Sequence, residues 1–125
     1  MTAVPARYPS QVAIEAYGNG GFRFAAISHR GSILSLPSGI YAWPPQAFAE
    51  IDADALVAAC TAPPAPSLLI LGTGRQRAAA SGALRQALAA GGIGLEVMDT
   101  GAACRTYNVL LAEGRLLGAA LIAVD

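Results

Sequence analysis

Two short stretches carry most of the groups able to hold a ligand: Gly72-Thr73-Gly74-Arg75, and Asp99-Thr100 with Arg105 and Asn108 a little further on. Glycines leave backbone amides open, and where such a loop begins a helix the amides and the helix dipole favour an anion. Arg75, Arg77 and Arg105 add guanidinium forks, which suit carboxylate or phosphate better than lysine does. The implied chemistry is binding of a small anion. Gly72, Thr73, Gly74 and Arg75 would form one wall, and Asp99, Thr100, Arg105 and Asn108 the other. The stretch lacks the Lys-Ser/Thr ending of a phosphate loop and is not a full dinucleotide fingerprint. The competing reading is that the glycines only permit a turn and close packing, that Arg105 lies on a solvated helix face, and that Asn108 satisfies loop backbone groups.

Nothing else in the chain has the make-up of a catalytic centre. His29 stands beside Arg30 in an expected turn with no Ser, Cys or Asp arranged around it, a poor general base. Cys60 and Cys104 are far apart and follow neither a disulfide framework nor a zinc pattern. Glu50, Asp52 and Asp54 are spread by helical spacing and have no further ligands nearby, so they read as solvated charge. No catalytic residue, metal or cofactor is therefore expected, and the chain reads as a non-enzyme sooner than an enzyme. Tyr17, Phe22 and Trp43 have the composition of packing residues; exposed together, they would make a protein-binding patch.

The elements that must position these residues follow from period and punctuation. A chain of 125 residues with 54% hydrophobic content has the length and composition of one compact domain. Eight arginines, no lysine and eight acidic residues give zero net charge, which leaves no field for a nucleic-acid backbone. No apolar run reaches the ~18 residues of a membrane span. Residues 1–7 lack the order of a signal peptide, so a cytoplasmic location is expected. Residues 1–10 read as a loose arm and residues 11–125 as a single α/β domain.

Within that domain, residues 11–17 and 22–27 alternate like strands around Gly18-Asn19-Gly20-Gly21, a hairpin signal. A turn at His29-Arg30-Gly31 leads to a strand over 32–36, and a segment over 40–43 is ended by Pro44-Pro45. Helical spacing predicts a helix over 52–60. Leu68-Leu69-Ile70-Leu71 reads as a buried strand, residues 76–90 as a helix and residues 93–97 as the next strand. A strand-helix-strand unit makes its two strands parallel, so the loops at 72–75 and 98–101 leave the sheet at one edge with two helix starts side by side. Thr100 or Asp99 caps a further helix whose Ala103, Tyr107, Leu110 and Leu111 share a face. Against that helix stands a hairpin pairing residues 109–111 with Leu116 onward. Residues 116–124 read as a last buried strand. A hairpin with an unpaired edge also makes a homodimer a natural expectation.

Several separated segments also resemble a known family: Tyr17-Gly18-Asn19-Gly20-Gly21-Phe22-Arg23, Gly31-Ser32-Ile33-Leu34, Trp43, Leu71-Gly72-Thr73-Gly74, Val97-Met98-Asp99-Thr100, Thr106-Tyr107-Asn108-Val109-Leu110 and Glu113-Gly114-Arg115. In this order they are similar to a small α/β domain family of largely unknown biochemical function that includes a mitochondrial assembly factor of respiratory complex I, the NADH:ubiquinone oxidoreductase. The resemblance runs from about residue 11 to the end, and the chain looks like a bacterial member. It implies a three-layer α/β fold: a central mixed sheet of about five strands, helices on both faces and an additional β-hairpin. It further implies protein partners, respiratory-complex components among them, and no established enzyme activity.

Overall fold

The computed structural model describes residues 5–125. Among the described residues, eight strands form two sheets. The larger has the order β5-β4-β8-β6-β7 and is built from β4 (Ser32–Leu36), β5 (Gly39–Trp43), β6 (Leu68–Gly72), β7 (Gly94–Met98) and β8 (Leu117–Leu121). β6 runs parallel to both β7 and β8, while β4 is antiparallel to β5 and β8, so the sheet is mixed. The smaller sheet holds β1 (Ala16–Gly18), β2 (Gly21–Phe24) and β3 (Ile27–Arg30), all antiparallel.

The uninterrupted apolar runs in β6 and β8 are explained by cover on both faces. On one face Ile70, Ala119 and Leu121 meet Phe22 and Phe24 of the small sheet and Ala103, Cys104 and Tyr107 of helix α3 (Thr100–Ala112). On the other, Leu69, Leu71 and Ala120 meet Leu56 and Cys60 of α1 (Ala53–Thr61) and Leu84 and Leu88 of α2 (Gly82–Ala90). This is the expected three-layer α/β architecture. The helix at 100–112 prevails over the alternative hairpin: the Asp99 carboxylate caps it through the Ala102 N–H, and Gly114 follows its end at φ 77°.

Three local expectations are corrected. Residues 11–15 are not strand; they cross α3, where the Asn108 side-chain amide bonds both the Ile14 N–H (2.8 Å) and the Ile14 carbonyl (2.9 Å). His29 and Arg30 are not a turn but the end of β3, because the chain already reverses at Ala25 and Ala26, both at positive φ (50° and 61°). The first hairpin is as expected, turning on Asn19 and Gly20 at φ 53° and 78°. The third correction concerns α2, which starts at Gly82 with Ser81 as its cap, whereas residues 76–81 are irregular. Of the segment 1–10, residues 1–4 lie outside the described residues, and Tyr8 bridges Ile40 on the outer edge of β5.

The opposite edge, β7, is covered by side chains. Arg77 donates through Nε to the Val97 carbonyl (3.2 Å) and Arg85 through Nη1 to the Leu95 carbonyl (2.7 Å). Both acceptors point away from β6, where a further strand would otherwise pair.

Candidate functional site

Because β6 and β7 are parallel and in register from Leu68↔Gly94 to Gly72↔Met98, their following loops do emerge together. The corner they form is closed from below. Gly72 is a place of close approach: a Cβ there would stand 3.1 Å from Ala103 Cβ, Leu121 Cδ2 and Thr100 Cα, so a side chain would require α3 and the sheet to give by a few tenths of an ångström. Thr73 N–H bonds the Met98 carbonyl, while its hydroxyl donates to the Gln76 carbonyl (2.7 Å) and accepts from the Ala78 N–H (3.0 Å). The Gly74 N–H donates to Thr100 Oγ1 (2.9 Å), and that hydroxyl donates on to the Ile122 carbonyl (2.7 Å). Thr100 N–H in turn bonds the Gly74 carbonyl. Thr100 is fully buried, yet each of its hydrogen-bonding atoms has a partner.

The anion wall read from the sequence is thus brought together in part. Thr73, Gly74, Asp99 and Thr100 meet, but the amides of Thr73 and Gly74 are engaged by the protein itself. No helix starts at Gly74, since α2 begins at Gly82; the expected pair of adjacent helix starts reduces to that of α3. Arg75 is exposed at the mouth of the loop, Arg77 is engaged at the β7 edge, and Asn108 lies well along α3, clasping Ile14.

Above the closed corner the structure adds a residue that no local motif assigned to it. Tyr17, from β1, reaches over the start of α3: its hydroxyl oxygen stands 2.6 Å from where a Cβ of residue 101 would be, so Gly101 makes room for it. Arg105 lies one turn along, with Nη1 3.5 Å from the same hydroxyl. Beside them Thr106, Val109 and Leu110 line a shallow groove of about 240 Å³ with Arg105. Tyr17 is 43% exposed and Val109 58%. This is an outward surface of mixed aromatic, aliphatic and cationic character.

Phe22 and Trp43 do not join that surface. Phe22 is buried in the core against α3, and Trp43 packs half-buried on the opposite face of the large sheet, with Phe48 and Ile51. Tyr17 and Phe22 are paired across the hairpin and share one side of it, yet α3 covers Phe22 and leaves Tyr17 half in solvent.

Four buried titratable groups are insulated from solvent. Burial pushes the Cys60 thiol up to about 11 and that of Cys104 to about 12, so both stay protonated at neutral pH and neither has the character of a nucleophile. Burial also pushes the Tyr107 phenol up to about 12; its hydroxyl donates to the Val12 carbonyl and lies 2.9 Å from Ser35 Oγ. His29 is held below its usual range, chiefly by burial and further by the nearby Arg7 charge; the hydrogen bond from its Nε2 to the Ser32 carbonyl opposes this. Among the described residues, every buried side-chain nitrogen and oxygen has a hydrogen-bond partner, and no helix is long and apolar enough to cross a membrane.

Comparison with known proteins agrees with this architecture. The chain is 38% identical over 109 residues to an uncharacterised protein of Rhodobacter capsulatus, covering 87% of this chain and 82% of that one. It is 30% identical over 122 residues to the mouse protein named NADH dehydrogenase [ubiquinone] 1 alpha subcomplex assembly factor 3; the match covers 98% of this chain but 66% of the mouse protein, just under two thirds of its length. A crystal structure of a Bartonella henselae protein, described as an outer membrane protein, superposes with a TM-score of 0.82 at 41% identity, covering 95% of this chain and all of that one. A family model matches residues 14–122. The chain therefore belongs to the family described as protein of unknown function DUF498/DUF598, to which its resemblance to a complex I assembly factor had pointed.

Proposed function

We propose that the chain is a non-catalytic protein-interaction domain of the assembly-factor type, and that its docking surface is the ridge of Tyr17, Arg105 and Val109 on β1 and α3. The observation that carries this is the half-exposed Tyr17 beside Arg105 and the exposed Val109. Tyrosine and arginine are the residue types that dominate protein interfaces, because each joins a large contact surface to directional hydrogen bonding. The engaged amides of the corner beneath support the same reading, since a loop whose donors are already used is a rigid support for a surface. The assembly-factor relatives extend the reading to components of NADH dehydrogenase as partners.

The test is a comparison of partners retained by the wild-type chain and by Tyr17→Ala/Val109→Glu in the native host. Circular dichroism and the melting temperature would show that the variant is folded. Truncating one anchor of such an interface weakens binding about tenfold or more, so the double variant loses reproducible partners. Equal recovery by the two chains would overturn the docking surface.

A further inference from the structure

A concavity of about 330 Å³ lies on the outer face of the small sheet. Strand register explains its chemistry. Ala16 lies opposite Arg23, Arg23 opposite Ser28, Gly18 opposite Gly21 and Gly21 opposite Arg30, so all six residues share one face. Phe22 and Phe24 occupy the other face, in the core. The outer face therefore has a floor of small residues flanked by two guanidinium groups and a hydroxyl. Gly18 sits at φ 127° with no atom within 4 Å of where a Cβ would stand; at Gly21 a Cβ would overlap the His29 carbonyl.

The two arginines differ in what they have left to offer. Arg23 is oriented by Glu15, whose Oε1 lies 3.3 Å from its Nε, and Arg23 Nη1 donates to Ser28 Oγ (3.1 Å). That leaves its second terminal nitrogen and the Ser28 hydroxyl hydrogen available. Arg30 is exposed and makes no ion pair or side-chain hydrogen bond among the described residues, so its whole fork is open to a carboxylate. Glu15 offsets one of the two positive charges. One remains uncompensated on a face that carries no large apolar side chain.

We infer that this face binds an extended acidic segment of a partner polypeptide, one carboxylate entering the fork of Arg30 and a second, two residues along, meeting Arg23 and Ser28. The inference rests on the protein-interaction reading above but uses the outer face of the small sheet, which adjoins the ridge at Tyr17. The spacing fits: Arg23 and Arg30 are diagonal neighbours on adjacent strands, about 7–8 Å apart at their backbones, and side chains on one side of an extended peptide repeat at about 6.7 Å. The small-residue floor gives a peptide backbone room to lie between the two arginines.

The test uses the intact chain, labelled with nitrogen-15, and two synthetic blocked pentapeptides, Thr-Glu-Thr-Glu-Thr and Thr-Gln-Thr-Gln-Thr. The glutamate peptide shifts the amide resonances of Gly18, Gly21, Arg23, Ser28 and Arg30 in a saturable manner and the glutamine peptide does not. Arg30→Gln weakens the glutamate peptide about fivefold, while Val109→Glu leaves it unchanged. Equal effects of the two peptides, or no shift at this face, would overturn the inference. So would inorganic phosphate producing the same saturation as the glutamate peptide, which would make the face a general anion surface. If this face fails while Tyr17→Ala/Val109→Glu still loses its partners, only the acidic-segment assignment falls; if peptide binding persists but that variant keeps its partners, only the ridge falls.

Discussion

Replacing Thr100 by valine isolates the energetics of the closed corner. The two side chains have nearly the same shape, so the packing around this buried position is preserved and only the hydroxyl is lost. That hydroxyl accepts from the Gly74 N–H at 2.9 Å and donates to the Ile122 carbonyl at 2.7 Å, at a side chain with no solvent exposure. Valine leaves a buried donor unpaired and weakens the surroundings of a buried acceptor, the Ile122 carbonyl. Each orphaned group costs about 1–3 kcal/mol, and the carbonyl, with its second lone pair, belongs at the lower end. The expected loss is therefore about 2–4 kcal/mol, corresponding to a fall in melting temperature of roughly 8–16 °C for a domain of this size. Urea unfolding, followed by circular dichroism and by Trp43 fluorescence, measures it. Thr100→Ser is the control: it keeps both hydrogen bonds, loses one methyl group and costs about 1 kcal/mol. If valine is within about 0.5 kcal/mol of wild type, or if serine is the worse of the two, the hydroxyl is not what closes the corner.

Three other outcomes are expected. His29 has a folded-state pKa below its unfolded value, so the unfolded chain binds the extra proton first. The associated stability is complete above about pH 6.5 and is lost as pH falls from there through the folded pKa; His29→Asn should flatten the drop in urea midpoint between pH 7.5 and 5, and an unchanged slope would exclude His29 as its source. Arg77→Ala/Arg85→Ala frees the Val97 and Leu95 carbonyls at the β7 edge. Light scattering should then show stronger concentration-dependent self-association than wild type at equal concentration, and identical masses would show that the arginines do not guard the edge. Ala25→Asn/Ala26→Gly places in the second hairpin turn the residues that positive φ favours. The double variant should gain about 1 kcal/mol in urea unfolding, and a loss would mean that the turn is held by something the new residues disturb.

The elements most legible in the sequence are those whose side-chain period and punctuation agree. Leu68 to Leu71, the face of Ala103 and Tyr107, and the Asn19-Gly20 turn all carried local signals that tertiary structure left standing. The second hairpin turn was not legible, because Ala25 and Ala26 carry no preference for positive φ. What holds the turn is remote: the Glu15 carboxylate accepts the Ala26 N–H (3.2 Å) while pairing with Arg23. The late start of α2 was hidden for a similar reason. Good helix formers fill residues 78–80, but the Thr73 hydroxyl takes the Gln76 carbonyl and the Ala78 N–H out of helical use, and Ser81 supplies the cap at which the helix begins. At the candidate site, the meeting of the 72–75 and 98–101 loops followed from parallel strands. The arrival of Tyr17 over Gly101 did not, because it depends on how the small sheet docks against α3, which no periodicity encodes.

That docking has a mechanical side. Asn108 presents to Ile14 one acceptor and one donor, the same pair of bonds that a neighbouring strand would offer, and so a helix side chain stands in for a strand at the point where the chain enters the small sheet. With Tyr107, the preceding residue of α3, donating to the Val12 carbonyl, α3 grips the entering segment at two residues, Val12 and Ile14. The small sheet and α3 should accordingly open and close as one cooperative unit, exchanging their amide hydrogens together. A binding partner that seizes Tyr17 would then stiffen the whole of that layer while leaving α1 and α2, on the far side of the large sheet, to fluctuate as before.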